Sequence, residues 1–131
     1  MDQPPIFARA TNLDEFIAER MEKQIEWQER AEIAQAIAGP AYLRLLDLAE
    51  KNDTGQARIV AHFLASTYNG RAFHFDLYDL RSLDVPISDD MLVCLDALRW
   101  RTLDLFELVP DGFARVESVI KNWRIKTVRL D

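Results

Sequence analysis

The strongest constraint on the fold is a stretch without glycine or proline that runs from Thr11 to Ala38. Both residue types interrupt helices, so their absence allows a single helix of about 26 residues. Thr11 or Asn12 is suited to begin it as the N-cap. Gly39-Pro40 is expected to end it, and Pro40 to begin an antiparallel or sharply bent neighbour. The sequence therefore predicts a first helix over about residues 12–38.

One side of this predicted helix is acidic. At 100° per residue, five glutamates spaced four, three, four and three residues apart fall within an arc of about 80°. We call them the acidic ridge, and they are the candidate partner-binding residues: Glu15, Glu19, Glu22, Glu26 and Glu29.

The opposite side mixes large apolar residues with polar ones. Such a stripe fits a helix packed on its own domain with a solvated edge. It also fits a helix that docks on a partner or on a second copy, as a homodimer through the N-terminal helix, with glutamines setting the register. The apolar positions are Leu13, Phe16, Ile17, Met21, Trp27, Ala31, Ala34 and Ala38, interrupted by Arg20, Gln24, Gln28 and Gln35.

Length and composition indicate one globular domain. The chain has 131 residues, of which 49% are hydrophobic and 29% charged, which is typical of folded proteins. Residues 1–10 are expected to be a flexible lead-in, and residues 11–131 a single helical domain. No apolar run approaches the roughly 18 residues of a membrane helix, and the N-terminus lacks a signal-peptide pattern. We therefore expect a cytoplasmic protein without membrane contacts.

Capping residues divide the middle of the chain. Asp53 with Gln56 predicts the start of a helix that Asn69-Gly70 ends in a left-handed turn. Asp76 is expected to cap a short helix, and Ser88 the next one, after Pro86 has ended the short helix. From Met91 to Leu98 the residues are apolar nearly all round, which is typical of a central, buried helix.

The remaining C-terminal part contains one more helix and an ambiguous pair of segments. Asp111 is predicted to cap a helix whose apolar side includes Val116, Val119 and Trp123. Residues 103–109 and 125–130 alternate partly like strands. They would either form a minor two-stranded ribbon, or be a helix extension and a frayed tail. The predicted fold is thus all-α, a compact domain of five or six helices, with at most this ribbon.

Candidates for catalysis or metal binding are few. His74, Asp76 and Asp79 are the one set that would form an acid/base or metal cluster, because a carboxylate orients an imidazole. The alternative is that Asp76 caps a helix and Asp79 is solvated. We expect no cofactor and no metal, since zinc-ligand spacing and the calcium-loop pattern are both missing from the sequence.

Two further side chains in the apolar run need an explanation. Cys94 is expected to be a small buried hydrophobe and not a nucleophile. Asp96 lies in an otherwise apolar turn, where a buried carboxylate is costly unless it is paired. Arg99 is its predicted partner.

The charge distribution bears on nucleic acids. The formal net charge of −6 argues against general attraction to DNA or RNA. Residues 112–131, however, carry a net charge of +3 from Arg115, Lys121, Arg124, Lys126 and Arg129 against Glu117 and Asp131. A DNA-binding accessory factor that uses this basic C-terminal segment remains an alternative.

Several runs of residues resemble a known family of small bacterial proteins of unknown function, over roughly residues 40–125. The resemblance implies a gene carried on integrative and conjugative elements, and it supplies no catalytic residues. The runs that carry it are 53–58 (DTGQAR), 60–64 (VAHFL), 75–80 (FDLYDL), 88–92 (SDDML) and 122–124 (NWR).

These observations favour a non-enzymatic accessory protein of a mobile element that acts through contacts with another protein. The acidic ridge suits an inhibitor of a nucleic-acid-binding or defence protein, because its carboxylates mimic phosphate charge. The alternatives are a small enzyme using His74, Asp76 and Asp79, and the DNA-binding factor described above.

Overall fold

A computed structural model describes residues 6–100 and 103–128, with side chains from Asn12 onward. Over this part of the chain the fold is all-α, as predicted. Its elements are α1 (Ile6–Lys51), α2 (Gly55–Tyr68), a 3₁₀-helix (Leu77–Ser82), α3 (Val85–Leu98), a second 3₁₀-helix (Leu105–Leu108) and α4 (Gly112–Asn122). The chain divides into two units, Met1–Ile33 and Ala34–Asp131.

The first helix is longer than predicted at both ends. It begins at Ile6, within the predicted lead-in, and it continues through Gly39-Pro40 to Lys51. Proline removes one helical N–H and disfavours a helix interior, so other contacts must hold the helix together here. Ala38 and Ala41 on either side of Pro40 are fully buried, and a Cβ on Gly39 would lie 3.4 Å from the Leu108 carbonyl oxygen. The predicted break is wrong because tertiary packing on both sides of Pro40 outweighs its local preference.

The helix α2 ends at the predicted Asn69, but its N-cap is the neighbour of the predicted residue. Thr54 is the N-cap, and its side chain accepts a hydrogen bond of 3.1 Å from the Ala57 N–H. Gln56 accepts instead from the distant Asp84 N–H at 2.8 Å. At the other end Asn69 has an extended backbone, with φ −154°, and its side chain accepts from two following N–H groups. The predicted Asp53 cap and left-handed turn are therefore both wrong.

The third helix starts earlier than expected. Asp84 is its N-cap and Pro86 lies in its first turn, where proline's missing N–H costs nothing. Ser88 is inside the helix and donates to the Val85 carbonyl at 2.9 Å. Met91 is fully buried, whereas the Leu92 side chain is 54% exposed. The prediction of burial nearly all round thus holds for one face only.

The predicted ribbon is not found in the described residues. Residues 105–108 form a 3₁₀-helix and residues 125–128 are not a strand; residues 129–130 lie outside the described part. Leu105 and Val109 are both buried, whereas Glu107 between them is exposed; an alternating strand would place all three side chains on one face. Val128 makes a single backbone hydrogen bond, from its N–H to the Ala72 carbonyl, at 2.7 Å.

The core lies within the Ala34–Asp131 unit. Its largest fully buried side chains come from α1, α2, α3 and α4 and from the second 3₁₀-helix. Thr67 donates to the Leu64 carbonyl at 2.7 Å, so the buried Tyr42 hydroxyl donates to Thr67 Oγ1, at 2.8 Å. Burial also raises the pKa of the Tyr42 hydroxyl. The core side chains are Tyr42, Leu45, Leu46, Leu64, Met91 and Leu105.

Candidate functional site

The acidic ridge is fully accessible. All five of its glutamates lie within α1 and are exposed. Their carboxylates form no ion pair with another described side chain. With a rise of 1.5 Å per residue, the ridge extends for about 21 Å along the helix. It therefore presents a row of unneutralised negative charge.

The other side of the same helical segment exposes large apolar side chains. Leu13, Phe16, Ile17, Met21 and Trp27 are between 47% and 58% exposed. Isolated exposed apolar residues are ordinary, but a contiguous row marks an interaction surface. We call these five residues the apolar stripe.

The polar residues within this stripe are also accessible. The Arg20 guanidinium lies 5.8 Å from the centre of the Phe16 ring. Phe16, Arg20, Lys23, Gln24 and Trp27 line a shallow groove of ≈ 300 Å³. Residues 12–33 thus offer two chemically different surfaces on one helix.

The structure does not bring the predicted His74, Asp76 and Asp79 cluster together. His74 and Asp76 line a pocket of ≈ 510 Å³, but Asp79 does not. Asp79 instead lies near His62: burial and Arg58 lower the pKa of His62, and Asp79 opposes that effect. In the part of the chain that is described, no three His, Cys, Asp or Glu side chains are placed to hold a metal ion.

Asp76 has the capping role that the sequence suggested as the alternative. Its Oδ1 accepts a hydrogen bond of 2.9 Å from the Tyr78 N–H at the start of the first 3₁₀-helix. Asp76 therefore has a structural role at the start of this 3₁₀-helix.

Cys94 is buried on α3 and is not part of a disulfide. Burial is the main reason that the pKa of its thiol rises to about 12. A thiol nucleophile reacts as the thiolate. This cysteine is thus the buried hydrophobe that the sequence predicts.

The predicted Asp96–Arg99 pair is present, but it is exposed. Arg99 Nε lies 2.7 Å from Asp96 Oδ1, and the Asp96 side chain is 48% exposed. The expected burial is wrong because Asp96 points away from the face of α3 that carries Met91 and Cys94. The Asp96 carboxylate is consequently not part of the buried core.

The basic C-terminal segment is less available than its sequence indicates. Arg115 is held by two carboxylates of α1, Asp47 and Glu50. Lys121, Arg124 and Lys126 are exposed, and Arg129 lies outside the described residues. One of the five predicted cations is therefore neutralised within the fold.

Sequence reasoning missed the apolar pocket beside Asp76. Its walls come from α2, from the segment after α2, from the first 3₁₀-helix and from α3. The one local signal was the aromatic pair around His74, Phe73 and Phe75, which both line it. The other wall residues are distant in sequence, and no spacing rule connects them.

No helix of the described residues has the length and apolarity needed to cross a membrane. A family model of unknown function, DUF7673, matches residues 39–124. The chain belongs to the DUF7673 family. This confirms the predicted resemblance to a family of unknown function over roughly residues 40–125.

The DUF7673 region contains the core, the pocket and the Arg115 ion pairs, whereas the acidic ridge and the apolar stripe lie before it. Searches of curated proteins and of solved structures found no match to the chain. The function of this DUF7673 protein must therefore be argued from its own surfaces.

Proposed function

We propose that this protein is not an enzyme and acts by binding another protein through residues 12–33 of α1. The observation that carries the proposal is the accessibility of both faces of this helical segment. Five glutamates are exposed along one side, and five large apolar side chains are about half exposed along the other. A helix exposed in this way gains stability when a partner covers its apolar side.

The acidic ridge favours a partner with a basic surface. Complementary charge steers two proteins together and penalises wrong partners. Proteins that bind nucleic acids carry such surfaces. We therefore propose an inhibitor of a nucleic-acid-binding or defence protein in the cytoplasm as the specific form of this function. We further propose that the gene is carried on an integrative and conjugative element, since such elements benefit from disabling host defences.

The experiment is a capture of partners from a lysate of the native host, read by mass spectrometry. In the ridge variant, Glu19, Glu22 and Glu26 are replaced by lysine. The matched control replaces Asp53, Asp104 and Glu107 by lysine, since these are exposed acidic residues of the other unit. Both variants change the net charge by the same amount.

We expect the wild type and the control to retain the same basic protein and the ridge variant to lose it. Equal retention by both variants would remove the ridge from the mechanism. Equal loss from both would mean that overall charge, and not the ridge, attracts the partner.

As a second proposal, two copies of the protein form a homodimer in which the apolar stripes of their N-terminal helices pack together. It is supported by the exposure of Ile17 and Trp27. Analytical ultracentrifugation of the wild type and of Ile17→Glu distinguishes the possibilities. A dimer that the substitution converts to a monomer supports self-association, and a wild-type monomer that still captures its partner assigns the stripe to that partner.

A further inference from the structure

The pocket beside Asp76 lies in the other unit and is independent of the proposed partner-binding helix. Its volume of ≈ 510 Å³ falls within the range of small-molecule sites. The floor includes Phe63, which is 2% exposed, and Phe73, which is 8% exposed. Phe63 meets Phe75 edge-to-face, with ring centroids 5.4 Å apart. Leu77, Leu80 and Leu95 complete the apolar walls.

The polar side chains at this pocket are few. Ser66 already donates to the Phe63 carbonyl, at 2.6 Å. Asp76 uses Oδ1 to accept the Tyr78 N–H, while its Oδ2 accepts no hydrogen bond from the described residues. His74 also lines the pocket. Asp76 is thus the fixed charge at the rim, and one of its oxygens remains free to meet a ligand.

The two arginines nearest in sequence to Asp76 are Arg71 and Arg81, each five residues away, and neither lines the pocket. Arg81, on the same 3₁₀-helix, has its guanidinium 4.8 Å from the centre of the Tyr78 ring, and it does not line the pocket. Among the described residues, no lysine or arginine lines the pocket. The charge that the pocket presents is therefore negative.

Aromatic walls and one carboxylate are the features that recognise organic cations. A cation is attracted by the quadrupole of aromatic rings and by the carboxylate, while its apolar body is buried against the leucines. We propose that this pocket binds a small organic cation with an apolar body, of the quaternary or alkylated ammonium class. Asp76 supplies the charge preference, and the phenylalanines and leucines supply the shape.

The test uses two probes of equal shape. Phenyltrimethylammonium and tert-butylbenzene differ in whether nitrogen or carbon carries the three methyl groups, and hence in charge alone. Benzenesulfonate serves as the anion. Binding to the full chain is followed by NMR of the leucine methyl groups, at pH 8, above the range in which ordinary imidazoles are protonated.

We expect phenyltrimethylammonium to shift the Leu77, Leu80 and Leu95 signals and to bind about fivefold more tightly than tert-butylbenzene, as for an exposed charge pair at about 4 Å. Benzenesulfonate should bind most weakly. Equal affinity for the cation and its neutral isostere would overturn the proposal, as would the lack of any shift at these leucines.

Two substitutions assign the preference to a residue. Asp76→Asn keeps an oxygen that can accept the Tyr78 N–H, so it removes the charge and retains the cap. Asp79→Asn is the matched control, because Asp79 lies on the same 3₁₀-helix but does not line the pocket. We expect the cation preference to disappear in the first variant and to persist in the second.

Leu77→Lys provides a separate check at an exposed wall position, since Leu77 is 67% exposed. Its added positive charge should weaken binding of the cation and improve binding of benzenesulfonate. Unchanged selectivity in both Asp76→Asn and Leu77→Lys would show that the pocket does not discriminate by charge, and the proposal would fail. Neither variant touches the acidic ridge, so loss of cation binding with intact partner capture separates this proposal from the proposed function.

Discussion

Arg115 of α4 forms a bidentate ion pair with Glu50 of α1. Its Nε donates to Glu50 Oε2 at 3.0 Å, and its Nη2 donates to Glu50 Oε1. The same Nη2 lies 3.1 Å from Asp47 Oδ1. These hydrogen bonds raise the pKa of the Arg115 guanidinium. Next to them, Trp123 Nε1 donates to the Ala49 carbonyl at 2.9 Å, so α4 is fixed to α1 at two points.

Replacing Arg115 by alanine should lower the free energy of unfolding by about 1 kcal/mol, because the pair is bidentate but partly exposed to solvent. Urea denaturation measures the change. Lys121→Ala, an exposed residue of the same helix, is the control and should be nearly neutral. Arg115→Lys should recover only part of the loss, since an ammonium lacks the planar fork. If Arg115→Ala left the free energy of unfolding unchanged, Trp123 and the core would be sufficient to hold α4 in place.

Gly112→Ala should be among the most damaging single-methyl changes in this chain. A Cβ at this position would overlap the carbonyl oxygen of Phe106, and backbone cannot move aside as a side chain does. We expect a loss of about 2 kcal/mol or more in the free energy of unfolding. The matched control is Gly55→Ala, where a Cβ meets nothing within 4 Å. There we expect a gain of about 0.4–1 kcal/mol from the less flexible unfolded chain, and equal losses at both glycines would contradict the packing described here.

Thr54→Ala and Asp53→Ala distinguish the observed N-cap from the predicted one. The Thr54 hydroxyl accepts the Ala57 N–H, so its removal should cost about 1 kcal/mol of unfolding free energy. Asp53 is exposed, and its replacement should change stability by less than about 0.5 kcal/mol. Thermal or urea unfolding of the two variants measures these losses. A larger loss of unfolding free energy for Asp53→Ala than for Thr54→Ala would support Asp53 as the N-cap.

Cys94 makes stability depend on pH in the alkaline range. Burial raises the pKa of its thiol from 9.0 to about 12, so between these values the unfolded chain loses a proton that the folded chain keeps. The free energy of unfolding should therefore be independent of this thiol below about pH 9. Above that it should fall, by at most ~1.4 kcal/mol per pH unit.

Urea denaturation at pH 8, 9 and 10 tests this for the wild type and for Cys94→Ala. The variant should be less stable at pH 8, because it leaves a cavity, but it should lose stability less steeply as the pH rises. Parallel pH profiles would show that Cys94 does not contribute to the slope. Tyr42 remains in both proteins, and Cys94 is the last of the three causes that act on the pKa of its hydroxyl.

Some local patterns predicted local features correctly, although the caps expected at Asp53 and Ser88 were wrong. The Asp76 cap of the first 3₁₀-helix depends on a carboxylate and an N–H two residues later, and the Asp96–Arg99 pair on residues three apart. Such contacts join groups a few residues apart, so the spacing of the residues can indicate them. Predictions were less accurate at positions where distant segments pack together. The break at Gly39-Pro40 was expected from proline's local cost, and only the buried Ala38 and Ala41 show why the helix continues.

The candidate sites divide in the same way. The acidic ridge follows from helical periodicity, and its exposure in the structure agrees with that placement. The pocket beside Asp76 was invisible in the sequence, because Phe63, Leu77 and Leu95 are brought together by three different helices. His74, Asp76 and Asp79 are close along the chain, but Asp79 does not line the pocket that His74 and Asp76 share.

By itself, the sequence determined the all-α class and the two contrasting sides of residues 12–33, because these depend on periodicity and on groups a few residues apart. The tertiary structure decided that α1 continues through Pro40, that Gly112 must lack a side chain and that Asp76 stands at an aromatic pocket. Each of these outcomes depends on atoms from segments far apart in the chain, and their free energies exist only once those segments have packed.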